Sequence, residues 1–283
     1  MIILKRERHL IAIDLDGTLL NNDHKISEEN KQVLRQAIYD GHIVVIATGR
    51  PSRASMQYYR ELDLKTPMVN FNGALVHHPT NSRWKSTHAP MQHTTALNIV
   101  RACYELEVPN IMAEVQDNVF LDRYDEKIIS FFQALESEDY KSTLTIGSLK
   151  KKLADDPTSL LIAPNEEQIE ILQKELNDSH AEFIEHRNWA APWNIIEVVR
   201  KGIHKAVGLQ KIANYYGIPK DRIIAFGDED NDLEMIDYAG VGVAMGNAID
   251  DLKNIAKHIT DTNEKSGVAS FLSEYLNLQA IHK

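Results

Sequence analysis

The chain has 283 residues, 43% of them hydrophobic, and a formal net charge of −10. That length predicts about two domains, and the apolar content excludes a disordered chain. The acidic balance excludes a surface built mainly to grip nucleic acid or anionic lipid. It leaves phosphorylated small molecules open, because a local cation overrides the global field.

Cys103 is the only cysteine, so no internal disulfide can form, which fits a reducing cytoplasm. The apolar run Met1-Ile2-Ile3-Leu4 is too short for a signal core, and its charges follow rather than precede it. No stretch approaches the ~20 apolar residues of a membrane helix. The expectation is a soluble, unexported, cytoplasmic protein with no membrane partner. Nothing in the pattern assigns an oligomeric state.

The first third alternates strand and helix. His9–Asp14 is a short apolar run suited to a strand covered on both faces. Ser27 reads as an N-cap, Val33, Leu34, Ala37 and Ile38 as one helical face, and Gly41 as the stop. A buried strand at Ile43–Ala47 leads into Thr48-Gly49-Arg50-Pro51, with Pro51 at a helix start. Met68–Phe71 reads as a third strand, and Asn72-Gly73 as a tight turn into Ala74–His77.

The middle changes character. Thr94–Leu106 has helical spacing at Leu97, Val100 and Cys103/Tyr104, and two short strands flank Asp117-Asn118. A helix with Ile128, Phe131, Phe132 and Leu135 follows, then a solvated turn at Lys150–Lys152 and a strand at Ser159–Ala163. A helix with Ile169, Leu172 and Leu176 and two more strands complete a mixed α+β stretch. From Ile203 the βα pattern resumes. It gives a helix with Ala206, Leu209, Ala213 and Tyr216, a strand at Arg222–Phe226, a helix from Asn231 and a strand at Val241–Ala244. A further helix precedes a terminal amphipathic one with Val268, Phe271, Leu272 and Tyr275. These elements predict an α/β core with a Rossmann-like, doubly wound parallel sheet, built from residues 1–80 and 201–283. An α+β domain of residues 81–200 is inserted into it.

Four polar clusters fall at strand ends, where open parallel sheets bind ligands. They are Asp14-Leu15-Asp16-Gly17-Thr18, Thr48-Gly49-Arg50, Lys205, and Gly227-Asp228-Glu229-Asp230-Asn231-Asp232. Asp14 and Asp16, two apart on an extended strand end, are expected to point to the same side. Paired carboxylates repel, and a hard cation such as Mg²⁺ relieves that and suits a phosphate substrate. The hydroxyl and amides of Thr48-Gly49 at a helix start make a phosphate cradle. Lys205 supplies positive charge. Caps explain one or two acids of the last cluster; metal binding explains all four. His77-His78 has no spaced partner for zinc. Trp84, Trp189 and Trp193 read as packing residues, and Tyr215-Tyr216 as part of a core face.

In this order the clusters resemble those of haloacid-dehalogenase-superfamily phosphatases of the Cof type, with the larger C2B cap inserted after the second cluster. Asn70-Phe71-Asn72-Gly73-Ala74 and Gly242–Ala248 also resemble segments of that subfamily. The resemblance covers essentially the whole chain. It implies an Mg²⁺-dependent phosphatase acting on a small phosphorylated metabolite (a sugar phosphate, flavin mononucleotide, pyridoxal phosphate or similar) through an aspartyl-phosphate. It further implies Asp14 as nucleophile and Asp16 as general acid and base. The metal would be held by the Asp14 side chain, the Asp16 backbone carbonyl and Asp228, with Asp232 behind them. Phosphate would be bound by Leu15, Thr48, Gly49, Lys205 and Asn231. Whether Glu229 reaches the metal stays open, since the fourth cluster reads Asp-Glu-Asp-Asn-Asp where Asp-Gly-Glu-Asn-Asp is commoner. Ala206 likewise stands where glycine is frequent. A phosphomutase and a catalytically idle Mg²⁺-dependent regulatory module are the alternatives on the same fold. A receiver-type phosphoacceptor domain lacks both Asp-x-Asp-Gly-Thr on its first strand and an inserted domain.

Overall fold

The computed structural model describes residues 7–134, 142–189 and 194–278. Contacts divide the chain into two compact units. Met1–Gly49, Gln57–Ser86 and His204–Lys283 form the first, and Arg50–Met56 with Thr87–Ile203 form the second.

The elements begin with β1 (Leu10–Ile13) and α1 (Glu28–Tyr39). Ser27 caps α1 by accepting the Asn30 N–H at 3.2 Å, an interaction typically worth about 1 kcal/mol. Asn30, Leu34 and Ala37 are the buried face of α1. Ile38 was expected there but is exposed, because one step past Ala37 swings a side chain a further ~100° around the axis. Next come β2 (Ile43–Ile46), α2 (Ser52–Glu61), β3 (Met68–Asn70) and β4 (Leu75–His77). β3 and β4 pair antiparallel about the turn Phe71–Gly73.

The second unit contains β5 (Thr87–His88), α3 (His93–Glu105), β6 (Asn110–Val115), β7 (Asn118–Leu121) and α4 (Glu126–Ala134). It continues through β8 (Thr143–Ile146), α5 (Leu149–Lys152), β9 (Ser159–Ala163), α6 (Glu166–His180), β10 (Ile184–Asn188) and β11 (Ile196–Arg200). Six of these strands form one sheet in the order β10-β11-β9-β6-β7-β8, antiparallel except at β7–β8. Ile99, Val100 and Cys103 of α3 and Leu172 and Leu176 of α6 pack with Ile111, Leu160 and Ile162 of the sheet. Ala96 and Ile99 therefore take the core positions expected of Leu97 and Tyr104, which are partly exposed. Three elements differ from the expected pattern, the first being the two-residue strand β5, which gives no apolar run. Strand β8 was not anticipated, since Thr143–Ile146 carries exposed residues on a sheet edge and gives no apolar run. Lys150–Lys152 is a helical turn, fixed by buried Leu149, with its lysines in solvent. Leu135 and Trp193 lie outside the described residues. Trp189 packs against the sheet and donates to Glu197 Oε2 at 3.3 Å.

A fully buried arginine stabilises the start of α2. Arg53 and Glu114 form an ion pair with both side chains buried, and Ser159 Oγ donates to the other Glu114 oxygen at 3.0 Å. Asp117 accepts the Arg53 backbone N–H at 3.0 Å.

The chain then adds α7 (Lys205–Tyr216), β12 (Ile223–Gly227), α8 (Leu233–Tyr238), β13 (Val241–Ala244), α9 (Asp250–Ile255), β14 (His258–Ile259) and α10 (Gly267–Tyr275). The sheet of the first unit is parallel throughout, in the order β14-β13-β12-β1-β2. Its central strands are wholly buried, as an all-parallel sheet covered by helices requires. The two-residue edge strand β14 was not anticipated, because both its residues are exposed. Tyr215 is exposed rather than part of a core face. Helix α7 packs tightly on β3: a Cβ on Gly208 would stand 2.7 Å from Val69 Cγ1. That close approach sets the height of Lys205, the first residue of the helix, whose side chain is fully buried. Among the described residues no helix is long and apolar enough to cross a membrane.

Candidate active site

The carboxyl ends of β1 and β12, adjacent in the sheet, carry Asp14 and Asp228. After Asp14 the chain coils through Leu15–Leu19 in one wide turn that returns the Leu20 N–H to Leu15 O at 2.9 Å. Gly17 sits in this turn at φ +68°, a left-handed value that suits glycine. Any side chain there would also collide with Asp228, whose Oδ2 lies 2.0 Å from the Cβ position. Thr18, buried in the same turn, donates to Asp228 Oδ1 at 2.8 Å.

Asp14, Asp228 and Asp232 bring carboxylate oxygens within 4.8 Å of one another, all buried. Lys205 reaches into this cluster and donates to Asp14 Oδ1 and Asp232 Oδ1, each at 2.7 Å. The second oxygen of Asp232 accepts the backbone N–H groups of Asp228 at 3.0 Å and Glu229 at 3.3 Å. Asp232 therefore has both oxygens engaged and braces the loop. Asp14 and Asp228 keep oxygen capacity for a cation.

Electrostatics follow from burial. Desolvation pushes the Asp14 carboxyl well above the usual carboxylate range; Lys205 opposes the shift, and Asp232, Asp228 and Asp16 add to it. Desolvation, with Asp232 adding to it, pushes Asp228 up to about 7. Burial works against the charge on Lys205, yet Asp14 and Asp232 outweigh it and raise its pKa, so it stays protonated. One ammonium among three buried carboxylates leaves a deficit of positive charge. The oxygen donors fit a hard divalent cation, and Asp14 and Asp228 are the side chains that could hold it.

Asp16 is not part of the carboxylate cluster. The turn at Leu15 breaks the strand alternation, and the Asp16 side chain is 49% exposed, with Oδ1 3.7 Å from His24 Nδ1. Glu229 and Asp230 are also outside the cluster and exposed. Glu229 instead caps the helical turn at Asp230–Asp232 by accepting the Asp232 N–H. The helix-cap reading thus holds for Glu229, and metal binding does not explain all four acids.

Thr48 follows β2, is buried, and donates its backbone N–H to Val69 O at 3.0 Å. Gly49 lies beneath Asn231, whose Nδ2 is 3.5 Å from where a Gly49 Cβ would stand, and Asn231 Nδ2 donates to Asn72 Oδ1 at 3.0 Å. Leu15 is fully buried. Three site residues escaped the sequence reading of roles. Thr18, Asn72 and Asn247 are present in the sequence reading only as parts of segments. Asn247, whose Nδ2 donates to Gly17 O at 2.8 Å, sits 230 residues away in the chain. His77 Nε2 lies 3.0 Å from Asn70 Oδ1.

A parallel sheet that ends in a lysine-braced aspartate cluster defines the class: a phosphoryl-transfer hydrolase of the α/β type. The family model for haloacid dehalogenase-like hydrolases matches residues 11–272, and the chain belongs to that family. It is 48% identical over 275 residues to the 5-amino-6-(5-phospho-D-ribitylamino)uracil phosphatase YitU of Bacillus subtilis, covering 97% of this chain and 100% of that protein. A second Bacillus subtilis protein of the same described activity, YcsE, is 30% identical, with 94% of this chain and 95% of that one covered. A solved structure of a haloacid dehalogenase-like hydrolase from Bacillus subtilis superimposes with a TM-score of 0.77 at 30% identity, covering 94% of this chain and 99% of that one. The chain is a phosphatase of small phosphorylated metabolites.

Proposed function

We propose that this phosphatase uses Mg²⁺ to dephosphorylate 5-amino-6-(5-phospho-D-ribitylamino)uracil in the cytoplasm, with no nucleic-acid or membrane partner. The observation that carries the chemistry is the buried contact of Lys205 with Asp14 beside Asp228. The substrate rests on the 48% identity to YitU along nearly the whole length of both chains. The cytoplasmic assignment is supported by the lone thiol of Cys103.

An Asp14 oxygen attacks phosphorus, and the bond from phosphorus to the ribityl oxygen breaks, leaving an aspartyl-phosphate. Asp16 gives its proton to the departing alkoxide. Its carboxylate then takes a proton from the water that attacks the same phosphorus, which frees orthophosphate and returns the Asp14 carboxylate. Leu15, Thr48, Gly49, Lys205 and Asn231 bind the phosphate oxygens through N–H and hydroxyl donors. The Asp14 side chain, the Asp16 carbonyl and Asp228 would hold Mg²⁺, which would supply charge neutralisation at the transferring group. The second unit is assigned the role of a cap that selects the leaving group.

The test is orthophosphate release from a panel containing this aminouracil phosphate, sugar phosphates, flavin mononucleotide and pyridoxal phosphate, with Mg²⁺ and with chelator. The reading expects the aminouracil compound to have the highest kcat/KM, activity to vanish with chelator, and Asp14→Asn to be inactive. A different best substrate overturns the substrate assignment. Turnover in Asp14→Asn overturns the nucleophile.

A further inference from the structure

Asn72 lies in the turn between β3 and β4, outside the four clusters that carry the chemistry. It is 2% exposed and sits at φ +51°, directly after Phe71 at φ +49°. Two consecutive non-glycine residues in the left-handed region are uncommon. Such conformations persist where the surroundings over-determine them, and they concentrate at functional sites. Asparagine tolerates this region better than most residues.

The contacts show what the strained turn delivers. The Asn72 backbone N–H donates to Thr48 O at 3.1 Å, tying the turn to the end of β2. Its carboxamide lies over Gly49, where a Cβ would stand 3.1 Å from Asn72 Oδ1. Its Oδ1 accepts from Asn231 Nδ2 at 3.0 Å, across 159 residues of sequence. The side chain therefore reaches Gly49 and Asn231 and the backbone holds Thr48, three of the residues assigned above to the phosphate.

The contact to Asn231 has a chemical consequence. A carboxamide has nearly the same shape with its oxygen and nitrogen exchanged, but only the nitrogen end donates to a phosphate oxygen. An acceptor facing Asn231 engages one Nδ2 hydrogen and leaves the second for an anion. The exchanged orientation of Asn231 would oppose two carbonyl oxygens.

We propose that Asn72 is a positioning residue for phosphate: it fixes the Asn231 carboxamide with its amino group toward the anion and seats the Thr48-Gly49 turn beneath it. This rests on the assignment of Asn231 to the phosphate. It adds to that assignment a residue that acts through Asn231.

Two variants separate side chain from backbone. Asn72→Gly accepts the left-handed conformation freely while deleting the carboxamide. Asn72→Ala deletes it with the backbone strain kept. Binding of inorganic phosphate in the presence of Mg²⁺, followed by calorimetry, should weaken about tenfold or more in both, as for loss of a hydrogen bond to a charged group. With p-nitrophenyl phosphate the loss should appear as a raised KM with kcat little changed, the signature of lost uniform binding. Asn231→Ala should weaken phosphate similarly, and Asn72→Gly/Asn231→Ala should be no worse than Asn231→Ala alone within about twofold. Wild-type phosphate affinity in Asn72→Gly overturns the proposal, as do losses that multiply in the double variant. A failure of the reaction assignment shows separately, as turnover of p-nitrophenyl phosphate by Asp14→Asn, and leaves the phosphate-binding cycle readable.

Discussion

Lys205 Nζ donates to Asp232 Oδ1 at 2.7 Å with neither side chain exposed to solvent. The lysine is thereby held from behind while it faces Asp14 at the same distance. The remaining Asp232 oxygen holds the amides of the loop that carries Asp228. A single carboxylate thus sets the positions of both the Lys205 ammonium and the loop that carries Asp228.

Asp232→Asn tests this bracing. The carboxamide has one acceptor where the site uses two, so either the ammonium or the loop amides face an N–H group. Breaking a buried pair of this kind costs about 3 kcal/mol or more, which lowers Tm by several degrees. Turnover of p-nitrophenyl phosphate should fall at least tenfold, because the lysine and Asp228 lose their common support. A variant that melts and turns over as the wild type does would remove Asp232 from this role.

On the proposed assignment, protons and the metal compete for the Asp14 and Asp228 carboxylates. In chelated enzyme the Asp228 pKa is raised by burial to about 7, well above its ordinary value of 3.8. A raised folded-state value stabilises the protein fully below the unfolded pKa, and that contribution is lost as pH climbs through about 7. Asp14, raised in the same direction by burial, adds to the trend. Chelated protein should therefore lose stability between about pH 4 and 7. The rise in Tm on adding Mg²⁺ should be larger at pH 8 than at pH 5.5, since the cation needs ionised ligands. Melting curves at the two pH values, with and without Mg²⁺, check this. An equal Mg²⁺ effect at both would place the cation elsewhere.

What the sequence made legible is what local pattern controls. The buried run at Leu10–Ile13, the cap at Ser27 and the strand Val241–Ala244 follow from apolar continuity and turn chemistry. So does the gathering of Asp14 and Asp228 at one sheet edge, whereas Lys205 followed from the positive charge such a site needs. Side-chain direction past a strand end is different. Asp16 was expected beside Asp14, but the turn at Leu15 ends the two-residue alternation on which that expectation stood. Edge strands such as β8 and β14 carry exposed residues and hence no hydrophobic signal. Pairings such as Arg53 with Glu114, 61 residues apart, have no local signature, because each partner alone reads as an ordinary surface charge.

Gly208 gives a case where helix propensity and packing predict opposite signs. Alanine in a helix interior is favoured over glycine by about 1 kcal/mol, so propensity alone predicts that Gly208→Ala stabilises α7. The added methyl would stand within 2.8 Å of both Val69 methyls and 3.1 Å from Val76 Cγ2. Overpacking of this kind costs about 1–3 kcal/mol, and the helix has to lift from β3 to relieve it. The expected outcome is a lower Tm together with reduced kcat/KM, because Lys205 rides on the same helix. A Gly208→Ala/Val69→Ala double variant should recover part of both. A higher Tm in the single variant would show that propensity wins and that the helix is free to shift.

Cys103 is fully buried in the core of the second unit, and desolvation pushes its thiol up to about 12. The thiolate is the reactive form, so at pH 8 the native protein presents almost none of it. Ellman's reagent should leave the folded chain unmodified over hours and titrate one thiol promptly in denaturant. Because the cysteine lies in the core of a unit distinct from the one that carries Asp14, its rate of modification reports opening of its own unit, and turnover reports the other. Partial urea that exposes Cys103 before turnover is lost would show that the two units unfold separately. Coincident loss would show one cooperative transition. Rapid labelling of the native enzyme, with activity intact, would contradict the burial from which the prediction starts.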